Sequence, residues 1–573
     1  ELKVVMSRLE TQYPETNTHM EADLGDLHDF LVGSTRKPLL LLLGATGLLL
    51  LIACANVGNL MLIRAAARER EVVLRRALGA GSGRLVRQTL TESGVLSVIG
   101  GTVGLAVGWW GTRALVALQP AGLLPVQDVR LDVRVFLFVL AISAISAALF
   151  GLAPALWSAR RAPADVLKES TRGSSESRRA RWWGNALAVG EVALALMLTI
   201  GGGLLVRSFI QLTRVDPGFD PKGVLALGIT LPGSRYESEE KQGTFIRELL
   251  TQVRAIPGVE QAAVVSKLPL GSSGAWTSDF AVRGRAVSDF GRNVQHREIS
   301  SDYFRVMRVP LVAGRAFRES DNSRTEAVVL VNKALADQFF KGQNPVGQYI
   351  AFDATPDSAS TWRQIVGVVG SEHQSSLSAD PNIEIFAPIA QDQRRGIQLT
   401  VRGGGTDPTT LLPAVHRVIS QLDPALALLS VTTMEEVRDR SLARERFVAI
   451  LLMAFAGVGA ALAIIGVYGV VAQLAQRRIQ EMGIRIALGA QVPQVRWLIV
   501  RHGLALTGAG VALGAVGAMF LGRVIQQMVF GITVRDPVTF TVMPLLLVLT
   551  GVCASWIPAV RATRADPAAA LRA

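Results

Sequence analysis

Charge and cysteine are both scarce in this sequence of 573 residues. Asp, Glu, Lys and Arg make up 18% of the chain, whereas half of the residues are apolar. A soluble domain carries about a quarter charged residues, so the deficit indicates surface that faces lipid. The two cysteines, Cys54 and Cys553, lie in apolar runs, which excludes a disulfide framework. We expect both to act as small buried hydrophobic residues.

Several catalytic signatures are also missing. The sequence contains no Gly-x-x-x-x-Gly-Lys-[Ser/Thr] loop, so the chain has no usual device for holding ATP phosphates. None of its six histidines belongs to a His-Glu-x-x-His metal motif, and no Gly-x-Ser-x-Gly elbow occurs. The sequence therefore predicts a chain that is not an enzyme, with no catalytic residue, metal site or bound cofactor of its own.

Long apolar runs are what the sequence has instead. A transmembrane helix needs about 20 mostly apolar residues. Seven stretches meet this requirement: 39–63, 88–118, 134–158, 184–208, 446–470, 498–527 and 537–560. They leave polar regions at 1–36 and 209–445.

The net charge of +13 is concentrated in one set of loops. The stretches 64–87, 159–183, 471–497 and the tail from Arg561 hold 21 Lys and Arg against seven Asp and Glu. Basic residues collect on the cytoplasmic side, so this set faces the cytoplasm and 209–445 lies outside. The positive net charge therefore reflects the topology of the chain in its partner, the lipid bilayer, and does not indicate binding of nucleic acid. Trp182 and Trp183 fit an interfacial anchor.

The chain repeats itself at an offset of 410 residues. Glu71, Arg75 and the segment Ala77-Leu78-Gly79-Ala80 fall on Glu481, Arg485 and Ala487-Leu488-Gly489-Ala490. Arg68 falls on Arg478 at the same offset. The protein is therefore predicted to be a tandem duplication. Residues 1–36 match only the end of the 209–445 region, so we expect one span and most of an external domain upstream of Glu1, which would give two groups of four spans.

The repeated cytoplasmic element has the pattern of a short amphipathic helix. Arg68, Glu71 and Arg75 share one face, and Glu71 precedes Arg75 by four positions, the favourable order for an ion pair. Glycine then ends the helix. One such helix could be a solvated interfacial element, but its preservation in two divergent halves favours docking of a partner protein. The predicted docking residues are Arg68, Glu71, Arg75, Arg76, Leu78, Gly79, Arg478, Glu481, Arg485, Leu488 and Gly489.

The segment LLLLIACANVGNLMLIRAAARERE and the following LRRALGAGSGRLVRQTLTES resemble the membrane region of MacB/FtsX-type ABC permeases. Two copies in one chain resemble the duplicated orphan permeases of the ADOP type. The resemblance implies a separate ABC ATPase that docks on these helices and hydrolyses ATP, and an intramolecular pseudo-dimer of the two halves. It also implies a location in the bacterial inner membrane with the large domain in the periplasm.

The external region alternates strand and helix patterns. Val224–Leu231, Ser238–Ala255 and Val259–Leu268 form a predicted β-α-β unit. Gln398–Val401, Thr409–Leu422 and Ala427–Val431 form a second unit. We therefore predict an α-helical polytopic membrane protein with two FtsX-like bundles. Its α+β periplasmic domain would be a ferredoxin-like subdomain with a β-rich insertion.

The predicted domains follow the spans and the polar regions. They are 1–36, the remnant of a first periplasmic domain; 37–160, the first bundle; 161–183, a cytoplasmic linker; 184–208, the helix that opens the second repeat; 209–445, the MacB-like periplasmic domain; and 446–573, the second bundle.

Glu191 is the exceptional ionisable residue within the spans. An intramembrane acid is a candidate functional residue by default, although this one lies near the cytoplasmic end, where water or a loop arginine would be in reach. Small-residue spacings at Gly100, Gly104 and Gly108, and at Gly510 and Gly514, predict close helix packing.

These features are compatible with three functions. The first is a permease subunit in which the ATPase drives the periplasmic domains, for export or extraction of a periplasmic or membrane substrate. The second is a relay that controls a periplasmic partner without transport, as in FtsX-type proteins. The third, an ion-coupled transporter, ranks last because the spans show no clear broken helices or buried charge network.

Overall fold

The computed structural model describes most of the chain. Backbone is described at 2–13, 27–77, 82–118, 132–147, 175–271, 276–285, 294–353, 356, 358, 360–405, 407–477, 482, 485 and 490–563. Within these ranges, only the backbone is described at 3, 27–32, 34–35, 62–77, 82–86, 88–90, 92–93, 96–97, 115, 142–147, 175–181 and 477. Two compact units result: Ile210–Arg444, and a unit formed by Glu1–Phe209 with Glu445–Ala573.

The second of these, here called the membrane unit, is helical. Its helices are α1 (Leu2–Gln12), α2 (Leu27–Ala77), α3 (Ser82–Leu118), α4 (Val133–Ala147), α5 (Ser175–Thr213), α11 (Ala443–Arg477), α12 (Val492–Ile525) and α13 (Pro537–Thr563). Five stretches are long and apolar enough to cross a membrane: Arg36–Met61, Trp182–Thr213, Ala443–Gln476, Val492–Met528 and Pro537–Thr563. They coincide with five of the seven predicted spans. The other two predicted spans, 88–118 and 134–158, fall on α3 and α4. Of the second, residues 148–158 lie outside the described residues.

Apolar and small residues pack the helices of the membrane unit. A Cβ placed on Gly459 of α11 would lie 3.2 Å from Leu198 of α5 and 3.5 Å from Ile52 of α2. Three helices, one from the first copy, therefore meet at this point. Because lipid removes the hydrophobic driving force for helix association, transmembrane helices pack through small residues that let their backbones approach closely.

Gly510 and Gly514 bring α12 against α5, as their spacing predicted. A Cβ on Gly510 would lie 2.6 Å from Val192, and one on Gly514 would lie 2.7 Å from the carbonyl oxygen of Ala193. At Gly100, Gly104 and Gly108 of α3, no described atom lies within 4 Å of an added Cβ. The close contact expected for those three glycines is thus not seen among the described residues.

The Ile210–Arg444 unit is built on a twelve-stranded mixed sheet. Its strands are β1 (Val224–Thr230), β2 (Val259–Val265), β3 (Trp276–Ser278), β4 (Ala281–Val282), β5 (Val294–Ile299), β6 (Leu311–Gly314), β7 (Val328–Asn332), β8 (Tyr349–Ala351), β9 (Arg363–Val369), β10 (Glu384–Pro388), β11 (Gly396–Gly403) and β12 (Leu428–Thr433). Its helices are α6 (Glu239–Arg254), α7 (Tyr303–Met307), α8 (Lys333–Phe339), α9 (Leu412–Leu422) and α10 (Met434–Ser441).

One end of this sheet has the order β12-β1-β11-β2 with all neighbours antiparallel. Helices α6 and α9 follow β1 and β11, which gives the predicted pair of β-α-β units and a ferredoxin-like subdomain. Leu227 pairs with Leu399 and with Val431, and these strands share a core with Leu249 of α6 and Val415 of α9. The predicted element boundaries agree with the observed ones to within a few residues.

Helix ends in this unit are fixed by local chemistry. The side chain of Ser238 accepts a hydrogen bond from the N–H of Lys241 at the start of α6, where Glu239 and Glu240 also complement the helix dipole. Thr433 and Glu436 form a capping box at the start of α10. These short-range signals explain why the element positions could be predicted from the sequence.

The middle of the domain is the predicted β-rich insertion. It contributes β3 to β10 between the two β-α-β units. Gly314 has φ of +74°, and a Cβ there would collide with the carbonyl oxygen of Val366. Glycine is required at this position because only glycine fits the conformation and the close approach of the neighbouring strand.

Candidate functional site

The first predicted docking element lies at the end of one uninterrupted helix. Helix α2 has 51 residues and passes from the candidate span Arg36–Met61 directly into Arg68, Glu71, Arg75 and Arg76. The backbone at these four positions is helical, and their side chains are outside the described part. Leu78 and Gly79 lie outside the described residues altogether.

The second element is described at fewer points. Helix α11 ends at Arg477, and Arg478, Glu481, Leu488 and Gly489 lie outside the described residues. Arg485 is helical and exposed. The N–H of Ala490 donates to the carbonyl oxygen of Arg485 at 2.9 Å. A six-to-one bond of this kind closes a helix C-terminus, and α12 begins two residues later at Val492.

Glu191 lies at the centre of the membrane unit and not at a wet boundary. Its exposure is 0%, and neither carboxylate oxygen has a hydrogen-bond partner in the part of the chain that the structure describes. The carboxylate fills the space beside Gly466 of α11 that a Cβ would take. The expectation that Glu191 reaches water is therefore wrong, because helix α11 has a glycine where it meets the carboxylate and closes over it. The side chains of the cytoplasmic loop arginines from Arg64 to Arg76 are outside the described part, so a contact with a loop arginine stays a prediction.

Two asparagines of α2 complete this buried polar cluster. Asn56 donates from Nδ2 to the carbonyl oxygen of Leu462 at 2.8 Å, and Asn59 donates to that of Gly466 at 3.5 Å. Both side chains are buried, with exposures of 6% and 3%. The cluster joins a helix of the first copy to one of the second, beside a carboxyl group that lacks a described partner. We call Glu191, Asn56, Asn59 and Gly466 the Glu191 cluster.

A second buried cluster, which sequence reasoning missed, lies in the Ile210–Arg444 unit. Arg297 donates from Nη1 to Glu372 at 2.6 Å and from Nε to Glu384 at 2.8 Å. The hydroxyl of Tyr303 accepts from Arg297 at 2.7 Å and donates to Glu372 at 3.0 Å. All four side chains are buried. We call them the Arg297 cluster.

The charges of the Arg297 cluster do not balance when both acids are ionised, because one guanidinium faces two carboxylates. Burial raises the pKa of Glu384 to about 7 against the pull of Arg297, and burial likewise raises the pKa of Glu372. The sequence signal was a glutamate at the start of the apolar strand Glu384–Pro388 and an arginine within the strand Val294–Ile299. Neither residue's position in the sequence indicates which side chains it contacts.

Two family models match most of the chain. The FtsX-like permease C-terminal region matches residues 43–163 and again 453–567. Residue 453 lies 410 positions after residue 43, the same offset that the internal repeat shows. The MacB-like periplasmic core domain matches residues 186–422.

Curated relatives are similar over long stretches at low identity. The macrolide export ATP-binding/permease protein MacB of Azoarcus sp. (strain BH72) is 24% identical over 424 residues, which are 71% of this chain and 59% of the relative. The pyoverdine export ATP-binding/permease protein PvdT of Pseudomonas entomophila (strain L48) is 24% identical over 282 residues, 46% of this chain and 40% of the relative. The chain thus spans about three fifths and two fifths of these two proteins.

Among solved structures, the periplasmic region of MacB from Actinobacillus actinomycetemcomitans is 12% identical, with a TM-score of 0.28. The match covers 40% of this chain and 96% of that structure.

Proposed function

The chain belongs to the MacB/FtsX-type ABC permeases, and from that premise we propose that it is the membrane subunit of an ABC export complex. It is a membrane protein with a periplasmic domain, which we place in the bacterial inner membrane. In the proposal a separate ABC ATPase binds and hydrolyses ATP, and this chain converts its closure into movement of the periplasmic domain. The substrate would be a periplasmic or membrane molecule.

The observation that carries the proposal is the continuity of helix α2. Its 51 residues extend about 77 Å at a rise of about 1.5 Å per residue, so one helix runs through the bilayer and beyond it on the cytoplasmic side. The repeated Arg68, Glu71 and Arg75 pattern lies on that extension. From Leu39 to Ala77 no proline interrupts the helix, so a push on the extension would be transmitted along it.

An intramolecular pseudo-dimer is part of the same proposal. The contacts of Asn56 and Asn59 with α11 supply it with polar links between a helix of the first copy and a helix of the second. Each half would offer one docking element to the ATPase. The second element has Ile479 and Gln480 where the first has Glu69 and Arg70, so the two would differ in affinity.

The alternative function is a relay without transport, in which a periplasmic partner responds to the movement. One observation favours it. The buried side chains described in the membrane unit are apolar except for those of the Glu191 cluster, Ser208, Thr507, Asp536, Thr539 and Ser555. A substrate path through the bilayer would need a polar lining.

Charge reversal in the docking elements tests the proposal. The full-length protein is purified from its host with its co-purifying ATPase, and the double variant Glu71→Lys with Glu481→Lys is compared with Glu69→Lys. Glu69 lies on the same helix but has no acidic counterpart in the second copy. We expect the double variant to retain about tenfold less ATPase, as for the loss of two charge pairs at an interface. The Glu69 variant should retain the wild-type amount.

The outcomes separate the functions. An intact complex in the double variant would contradict the docking assignment. Loss of the ATPase together with loss of substrate export supports the permease. Loss of the ATPase with export unchanged supports the relay.

A further inference from the structure

The membrane unit contains an apolar cavity of about 440 Å³ that is lined by residues of α2, α5, α11 and α12. Its wall includes Leu41, Ala45 and Leu48 of α2, Met197 and Gly201 of α5, and Ile525 of α12. The volume lies within the range of about 300–1,000 Å³ that is usual for small-molecule sites. Apart from Lys37 and Gln527, the lining residues are apolar, which favours an aliphatic occupant.

The cavity lies in the periplasmic half of the bilayer. Its lining on α2 runs from Lys37 to Leu48, about 16 Å along the helix, which is roughly half of a hydrocarbon core of about 30 Å. Lys37 is the second residue of one candidate span, and Gln527 is the last but one of another. Both ends face the periplasm, because α11 enters the membrane directly after the periplasmic domain and α12 returns to that side.

A lysine stands at the mouth of the cavity. Lys37 Nζ donates to Gln527 Oε1 at 2.6 Å, which links the start of the α2 span to the end of the α12 span. Both side chains are exposed, and no ion pair joins Lys37 to a described residue. An ammonium group has three protons, so two remain for an acceptor outside the protein. The depth of Lys37 is that of lipid headgroups, where lysine side chains settle.

We propose that this cavity binds one anionic phospholipid of the periplasmic leaflet. An acyl chain lies along Leu41, Ala45 and Leu48, and the headgroup phosphate lies against Lys37. The aliphatic wall selects the chain, and the charge of Lys37 selects an anionic headgroup over a zwitterionic one. The proposal is independent of the ATPase and of export, since it needs only the membrane unit and the bilayer.

Native mass spectrometry of the full-length protein in detergent tests the chain-binding part. Palmitoyl-oleoyl-phosphatidylglycerol is titrated in, with palmitoyl-oleoyl-phosphatidylcholine as the comparison lipid. Gly44→Phe fills the cavity, and Gly47→Phe is the matched control. A Cβ at either glycine meets no atom within 4 Å, but only Gly44 lines the cavity. We expect one phosphatidylglycerol bound to the wild type and to the control, and about tenfold weaker binding to Gly44→Phe.

Charge reversal tests the headgroup part on the same proteins. Lys37→Glu should abolish the preference for phosphatidylglycerol over phosphatidylcholine, and Arg36→Glu, one residue away and outside the lining, should keep it. Both residues are exposed, so neither change disturbs the packing of the helices. Equal binding by Gly44→Phe and Gly47→Phe would overturn the proposal. So would a wild type that binds the two lipids alike, or the absence of a retained lipid.

Discussion

Arg297 shows how a single buried cation organises a domain interior. Its guanidinium contacts Glu372 and Glu384 from two separate segments and Tyr303 from a third. Taking these ionisable groups out of water is costly, and it is tolerated because nearly every donor and acceptor has a partner. Gln374, which donates to Glu384 at 2.7 Å, extends this network. Removing one member would leave a buried charge uncompensated.

The raised pKa of Glu384 predicts a pH-dependent stability. The folded protein holds the proton of Glu384 up to about pH 7, whereas the unfolded chain releases it near 4.5. This contribution to stability is therefore complete below about pH 4.5 and is lost as the pH rises through 7. We expect the unfolding temperature of the full-length protein to fall between pH 5 and pH 8 more steeply in the wild type than in Glu384→Gln.

The unfolding temperature of Glu384→Gln is expected to differ from that of the wild type even where Glu384 does not titrate. Glu384→Gln places an amide beside Arg297 and should be less stable at every pH, so the comparison is between slopes and not between absolute temperatures. Parallel slopes for the two proteins would show that Glu384 does not titrate in this range.

At the scale of elements, glycine decides where α12 can approach α5. Gly508 and Gly510 are two residues apart on α12, yet an added Cβ meets Val192 at 2.6 Å from position 510 and no atom within 4 Å from position 508. Only one of the two faces the neighbouring helix. The two residues are identical in type, but helical periodicity places them on different faces of α12.

This difference predicts unequal effects of the same substitution. Gly510→Val should destabilise the membrane unit by about 1–3 kcal/mol, the usual cost of overpacking a tight contact. Gly508→Val should change its stability by no more than about 0.5 kcal/mol, as surface substitutions do. Thermal unfolding in detergent measures both. A Gly510 variant as stable as the Gly508 variant would disprove the contact between α12 and α5.

For the whole molecule, the central fact is that two copies of one bundle share a polar contact. Asn56 lies in the first of the two FtsX-like matches, Gly466 lies in the second, and Glu191 lies between them in the sequence. A carboxyl group without a described partner is expensive in such a place, which is why intramembrane acids are treated as functional candidates. We propose that Glu191 is a functional acid of the coupled movement.

Glu191→Gln tests that role in the purified complex. Glutamine keeps the shape and removes the titratable proton. We expect the complex to assemble normally while its coupled ATPase rate falls roughly tenfold, a change of about 1.4 kcal/mol in the activation barrier. Asn59→Asp serves as a control that adds an acid to the same cluster and leaves Glu191 in place. A wild-type rate in Glu191→Gln would assign the carboxyl group to packing alone.

Much of the molecule could be predicted from its sequence because the signals are local. Apolar runs predicted five long apolar helices that the structure contains, and the alternation of strand and helix patterns predicted both β-α-β units with boundaries within a few residues. The repeat at an offset of 410 predicted the two regions that match one family model. Glu191 could be singled out as a candidate too, since an acid within an apolar run is unusual.

What only the tertiary structure decided is which distant residues meet. Glu191 and Gly466 are 275 positions apart, and the prediction that water reaches Glu191 failed because helix packing, which sequence spacing does not encode, closes over it. Arg297 meets Glu384, 87 residues away, through the pairing of β5 with β10, and it meets Glu372, 75 residues away, in the segment that follows β9. The cavity is lined by residues of four helices that are up to about 490 positions apart in the sequence. Periodicity fixes which face of an element is apolar, and packing decides what that face contacts.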